Sequence, residues 1–246
     1  MTQRLSLLLP LALITLSACA GSQGFDRKEM HEVMRQTAIL TQQPVAPGVT
    51  ERPLAAWPAP FRLGLFFTHK EFPTRRAIRP VEWVSRDKDT LLHALAPLQD
   101  QQILRESIVI AESTAPNSTL TDIRKAAARY GADVIMIVTG VGTVDRYNNA
   151  YALLYPTILG AYLAPGTVSE ALVMIDGSLW DVRSGELLHR QTAEGLEKTV
   201  GAAAFVEDRD VLMQATQAAL NEFGTGLIDR LRRLSQAKPH ATPSHP

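Results

Sequence analysis

One cysteine stands in the 246-residue chain, and a single thiol closes no disulfide within it. Neither sign of charge is in excess: 25 Lys and Arg face 25 Asp and Glu, so the concentrated basic face that a nucleic-acid partner requires is missing. The amino-terminal apolar stretch, residues 5–16, is shorter than the roughly 20 residues of a membrane-spanning helix. Ligand spacing is missing among the histidines as well. His31-Glu32-Val33-Met34-Arg35 begins like a zinc-protease helix but puts Arg35 where the second histidine belongs. His69, His93, His189, His240 and His245 fall in no metal pattern. Gly140-Val141-Gly142 lacks the third glycine of a phosphate-cradling loop. Ser235-Gln236-Ala237-Lys238 matches a serine/lysine motif by letters alone, in a tail with no element to hold a nucleophile. These absences predict no metal and no cofactor.

What the chain does have is an address. Arg4 precedes an uncharged apolar run, and small and polar residues (Ser17, Ala18, Gly21, Ser22, Gln23) take over where it stops. This is the layout of a secretory signal. Leu16-Ser17-Ala18-Cys19 resembles a bacterial lipobox, in which a diacylglyceryl group is placed on the cysteine before the signal is cut away. The resemblance implies lipidation at Cys19 and, because Ala20 and Gly21 rather than Asp follow it, an outer-membrane destination facing the periplasm of a Gram-negative host. Two or more acyl chains, as such lipoproteins carry, anchor a protein stably where one does so only marginally.

A composition of 46% hydrophobic and 20% charged residues is that of an ordinary globular domain, and the chain has room for one sizeable core. The expected division is a signal over residues 1–18, a lipidated amino terminus and proline-rich tether over 19–60, an α/β domain over 61–234 and a disordered tail over 235–246. The tether reading rests on Pro44, Pro47, Pro53, Pro58 and Pro60 among small and polar residues. Before them, residues 26–40 read as a short polar helix with Met30, Val33, Met34 and Ile39 as its apolar positions.

Within the domain, Phe61, Leu63, Leu65 and Phe67 alternate as in a strand. Residues 70–79 form a basic loop, through Lys70, Arg75, Arg76 and Arg79, that suits solvent or, alternatively, anionic lipid. Residues 87–98 read as a helix with Leu91, Leu92, Leu95 and Leu98 inward, and 107–111 as a second strand. Thr119 and Asp122 form a capping-box pattern, and Gly131 supplies the stop of that helix. The unbroken run Val134-Ile135-Met136-Ile137-Val138 suits a central strand covered on both faces. Residues 171–182 and 186–200 read as strands joined by a tight turn at Arg183-Ser184-Gly185. Residues 208–234 read as a long helix, with Leu212, Ala215, Ala219, Phe223, Leu227 and Leu231 at spacings of three and four. The expected fold is therefore α/β (α+β): a single domain with a mixed sheet, helices packed on it and a long carboxyl-terminal helix.

Gly131-Ala132-Asp133-Val134, the segment from Leu153 through Tyr155-Pro156-Thr157-Ile158 to Tyr162, and Asp181-Val182-Arg183-Ser184-Gly185-Glu186 together resemble the rhombotarget lipoproteins, over residues 120–234. Those proteins occur in genomes that also encode a rhomboid-type sorting protease, and the resemblance implies an outer-membrane lipoprotein of undefined activity. The element order is also similar, at the level of fold type, to curli-export lipoproteins and to lipoprotein activators of cell-wall synthases. Fold type alone assigns no function.

The most unusual stretch is residues 147–169, which carry no charged side chain. Tyr151, Tyr155, Ile158 and Tyr162 would share a face if it were helical, although Pro156, Gly160, Pro165 and Gly166 interrupt it. As an interaction surface it would touch a membrane, a protein partner or a second copy; as core it would lie beneath the sheet. Asp145 with Arg146, and Asp181 with Arg183, read as solvated pairs. Asp176 interrupts an apolar strand beside Gly177, which marks a bulge or a close backbone approach. The leading expectation is a non-enzymatic envelope lipoprotein acting as a binding or assembly module. The alternative is an envelope enzyme whose polar pocket gathers sequence-distant residues such as Asp145, Asp176 and His189.

Overall fold

The computed structural model describes residues 21–39, 59–69 and 78–236. The segment read as a signal, Cys19, most of the proline-rich stretch, the basic loop from Lys70 to Arg76 and the tail beyond Gln236 lie outside the described residues.

The alternating segment forms β1 (Phe61–Phe67), and the short β2 (Arg79–Pro80) follows it. Helix α2 (Ser85–Asp100), strand β3 (Leu104–Val109), helix α3 (Leu120–Arg129) and strand β4 (Val134–Asn148) come next. After a connection over residues 149–166 come β5 (Thr167–Asp181), β6 (Leu187–Gly201) and the long helix α5 (Asp208–Gln236). One helix precedes them all, α1 (Arg27–Ile39), and a short one, α4 (Ile158–Leu163), lies in the connection.

The sheet has six strands in the order β3-β1-β4-β5-β6, with β2 paired to β4. β1 lies parallel to β3 and β4, while β4, β5 and β6 run antiparallel. It is the expected mixed sheet with helices packed on it in one α+β domain. β4 is central because its apolar run is covered on both faces. Val134, Met136 and Val138 point to the layer of α2 and α5, and Ile135 and Ile137 point to α3. The period-2 alternation of a strand makes this division automatic.

Local signals in the sequence explain the ends of the elements. Thr119 Oγ1 accepts the Asp122 amide at 3.1 Å, and Gly131 ends α3 at φ 69°, a conformation that glycine adopts without a Cβ clash. Gly185 at φ 75° closes the β5–β6 turn, where Asp181 Oδ1 accepts the Ser184 amide at 2.7 Å. α5 buries Val211, Ala215, Ala219, Phe223, Leu227 and Leu231 against the sheet and α2. Asp87 ties the two helices together by accepting Gln217 Nε2 at 2.6 Å.

Two expectations change. The folded unit does not begin at Phe61: Met30 and Met34 of α1 are buried with Ile78, Val141, Leu172 and Met174 on the far half of β4 and β5. The helix lies on the domain because its apolar positions match an uncovered stretch of sheet, so the proline-rich segment runs from α1 to β1. The strands are also longer than expected. β4 continues past Thr139 to Asn148, paired residue for residue with β5 as far as Thr167. The glycines and polar residues that break the apolar pattern there are held by the ladder.

Candidate interaction surface

The connection between β4 and β5 is closed at its base by Asn149. Its amide donates to Gly166 O at 2.8 Å, its side-chain amide donates to Pro165 O at 2.8 Å, and its carbonyl oxygen accepts the Tyr151 amide at 2.9 Å. That last bond caps a 3-10 turn, Ala150–Leu154. Thr157 then caps α4 by accepting the Gly160 amide at 3.0 Å, and its hydroxyl donates back to Leu154 O at 2.7 Å. Gly160 and Gly166 sit so close to the backbone of Leu154 and Ala152 that a Cβ on either would collide. The connection is thus a compact, internally bonded cap on the end of the hairpin.

The prolines and glycines break the segment into two short helical pieces, so its tyrosines do not share a helical face. Tyr151 and Tyr162 are 60% and 56% exposed. Tyr155 turns inward, its hydroxyl 2.8 Å from Thr167 Oγ1, which is buried. Ile158 opens α4, and its side chain is outside the described set. The leucines around them, which no pattern in the sequence marks as outward, are exposed as well: Leu153, Leu154, Leu159 and Leu163 by 59%, 53%, 71% and 74%. Phe205 joins them from the loop before α5, 71% exposed and edge-on to Tyr162 with ring centroids 6.1 Å apart. The lack of charge over residues 147–169 was the legible signal for the cap; nothing in the sequence tied Phe205 to it.

The polar residues near this end are engaged. Asp145 and Arg146, expected as a solvated pair, bond elsewhere because neighbours on a strand point to opposite faces. Asp145 Oδ2 accepts the Ser22 hydroxyl at 2.6 Å and the amides of Gln23 and Gly24 at 3.0 Å. Arg146 donates to Asp208 Oδ1 at 3.1 Å and to Val206 O at 3.0 Å. Across the sheet, Glu170 takes a 2.6 Å ion pair from Lys198 and a bond from the Tyr147 hydroxyl. These two donors, Lys198 first, hold its carboxyl below the usual range. Asp181 and Arg183 do not make a side-chain pair either: the Asp181 carboxylate holds the β5–β6 turn.

The three residues of the enzyme alternative are not brought together. Asp145 lies level with Glu170 of β5, Asp176 is six residues further along that strand, and His189 lies opposite Leu179. At about 3.3 Å per residue they are spread over roughly 30 Å of sheet. Asp176 is buried, bonded by Arg190 Nε at 2.9 Å, and burial pushes its carboxyl above the ordinary value. Gly177 beside it marks a close approach, since a Cβ there would enter the Phe223 ring. A depression of about 460 Å³ between β6 and α5 is lined by Gln191, Thr192, Asn221 and Glu222 and contains none of the three. Among the described residues no cluster of His, Cys, Asp or Glu is arranged to hold a metal, and no helix is long and apolar enough to cross a membrane.

No family model matches the chain, so membership of the rhombotarget family is not shown. No curated protein matches it. Several solved structures resemble parts of it. PelC from Paraburkholderia phytofirmans, solved as a dodecamer, is 12% identical with a TM-score of 0.26, over 65% of this chain and 89% of that one. Lipoprotein GNA1162 from Neisseria meningitidis is 13% identical with a TM-score of 0.29, over 71% and 99%. Protein XCC0632 from Xanthomonas campestris is 13% identical with a TM-score of 0.35, over 80% and 92%. At these scores the likenesses carry no argument about activity.

Proposed function

We propose that the chain is a bacterial envelope lipoprotein, held to a bilayer by lipid on Cys19 and acting as a non-enzymatic binding or assembly module, in the outer membrane facing the periplasm. The observation that carries the reading is the pairing of a lipobox-like Leu16-Ser17-Ala18-Cys19 with a domain whose most exposed apolar surface is an uncharged, internally bonded cap. A monomeric soluble domain rarely leaves so many large apolar side chains together in water. The resemblance of residues 120–234 to rhombotarget lipoproteins supports the same address.

The test is expression of the full chain and a Cys19→Ala variant in a Gram-negative host with labelled fatty acid, followed by membrane fractionation. Label and outer-membrane sedimentation in the wild type, with no label in the variant, are expected. Equal, unlabelled behaviour of the two chains would overturn the reading.

A further inference from the structure

Two features with separate origins in the sequence meet at one end of the molecule. The first is the exit of the amino terminus. Ser22, Gln23 and Gly24 all donate to one oxygen of Asp145, and Asp145 is three residues from the end of β4 at Asn148. Cys19 is three residues before Ser22. Three residues of extended chain reach at most about 10 Å, and three residues of strand cover about the same distance. A lipid on Cys19 would therefore be held within about 10 Å of Ser22, itself about 10 Å along β4 from the β4–β5 connection, with no long tether between them. The second feature is the apolar cap itself, with Leu159, Leu163 and Phe205 each more than 70% exposed.

Resting on the lipid-anchor reading, we propose that this cap is a membrane-contact surface: Tyr151, Leu153, Leu159, Tyr162, Leu163 and Phe205 enter the headgroup and acyl boundary of the bilayer that holds the Cys19 lipid. The chemistry fits that occupant. Residues 147–169 carry no charge that entry would have to dehydrate. Tyrosine settles at the water–lipid boundary, where its ring is in lipid and its hydroxyl in water. Of the two acidic residues that follow Phe205, Glu207 is exposed and sets the depth to which the loop enters, and Asp208, the first residue of α5, is held toward the sheet by Arg146 and Ser169. A second copy fits less well. Copies anchored in one bilayer stand side by side, and end-to-end burial of the caps would require the anchors to point at each other.

The experiment uses the full chain, lipidated in a Gram-negative host and reconstituted into phosphatidylethanolamine–phosphatidylglycerol vesicles with or without brominated acyl chains. Phe205→Trp and Leu159→Trp place a fluorophore in the cap. Tyr130→Trp places one at the opposite end of β4, at a side chain 40% exposed, about 46 Å away along a strand of 15 residues. The wild-type tryptophans set the baseline. Brominated lipid is expected to remove most of the emission added at 205 and 159 and little of that added at 130. A lipidated, vesicle-bound chain in which positions 205 and 159 go unquenched overturns the proposal while leaving the anchor intact. Unquenched emission accompanied by concentration-dependent cross-linking through the cap overturns it in favour of a second copy. A chain whose mass shows no diacylglyceryl group and which does not float with vesicles overturns the anchor, and the proposal with it.

Discussion

Gly195 of β6 and Ala219 of α5 meet backbone to backbone: a Cβ on Gly195 would stand 2.5 Å from the Ala219 amide and run into the Ala215 carbonyl. Backbone on both sides leaves nothing flexible to move aside. Gly195→Ala is expected to destabilise the domain by about 1–3 kcal/mol, as overpacking does. Gly226→Ala, on the same helix, meets only the Gln191 side chain at 3.4 Å and gains helix propensity, so its expected effect is neutral to about 1 kcal/mol stabilising. Urea midpoints of the two variants check this, and equal midpoints would mean that α5 is not seated on Gly195.

Asp176 gives a pH dependence with a definite sign. Burial is the larger influence and raises its carboxyl above 3.8; the Arg190 bond and charge oppose it. Between 3.8 and the raised value the folded state binds more protons than the unfolded chain, so stability falls as pH rises through that window and is level above it. Asp176→Asn is expected to abolish this component and leave the remaining pH profile unchanged. Denaturation midpoints across the acid range test it; an identical slope in the variant would place the titration elsewhere.

Much of the fold was legible in the sequence because the signals were local. The alternation at Phe61–Phe67, the unbroken run from Val134, the Thr119–Asp122 cap, Gly131 and Gly185 each act within a few residues, and each stands where it was expected. What was not legible depends on partners distant in sequence. Residues 140–148 lack a strand-like apolar pattern, yet they are strand because β5 supplies each of them with a ladder partner and β2 adds a second at Val141 and Gly142. Met30 reads as part of a weakly apolar helix, and its packing partners, Ile78, Val141, Leu172 and Met174, are all distant in sequence, the last two more than 140 residues on. The tyrosines of residues 147–169 were legible as unusual, but their directions were not. Those follow from two short caps, on Asn149 and Thr157, that split the segment.

The seat of α1 is itself testable. Met30 is fully buried, and truncating such a side chain costs about 2–5 kcal/mol when the site is part of the core. Met30→Ala is expected to fall in that range within a single unfolding transition. Lys28→Ala, on the exposed side of the same helix, should change stability by less than about 0.5 kcal/mol. Two variants of equal, unchanged stability would return α1 to the tether.

Tyr155 separates structure from surface within the cap. Its hydroxyl bonds Thr167 Oγ1 at 2.8 Å at the first residue of β5, and its side chain closes over Gly166, whereas Tyr151 and Tyr162 face outward. Removing the Tyr155 hydroxyl leaves the buried Thr167 hydroxyl with its 3.4 Å bond to Asn148 Oδ1, which is too long to compensate. Tyr155→Phe is therefore expected to cost about 1 kcal/mol and to speed amide exchange at Asn149 and Gly166, where the cap closes. Tyr151→Ser should leave both stability and exchange as they are, since its ring adds nothing to the internal bonding of the cap. Hydrogen-exchange rates at those two amides decide the matter: protection lost in Tyr151→Ser and kept in Tyr155→Phe would reverse the assignment of the two rings.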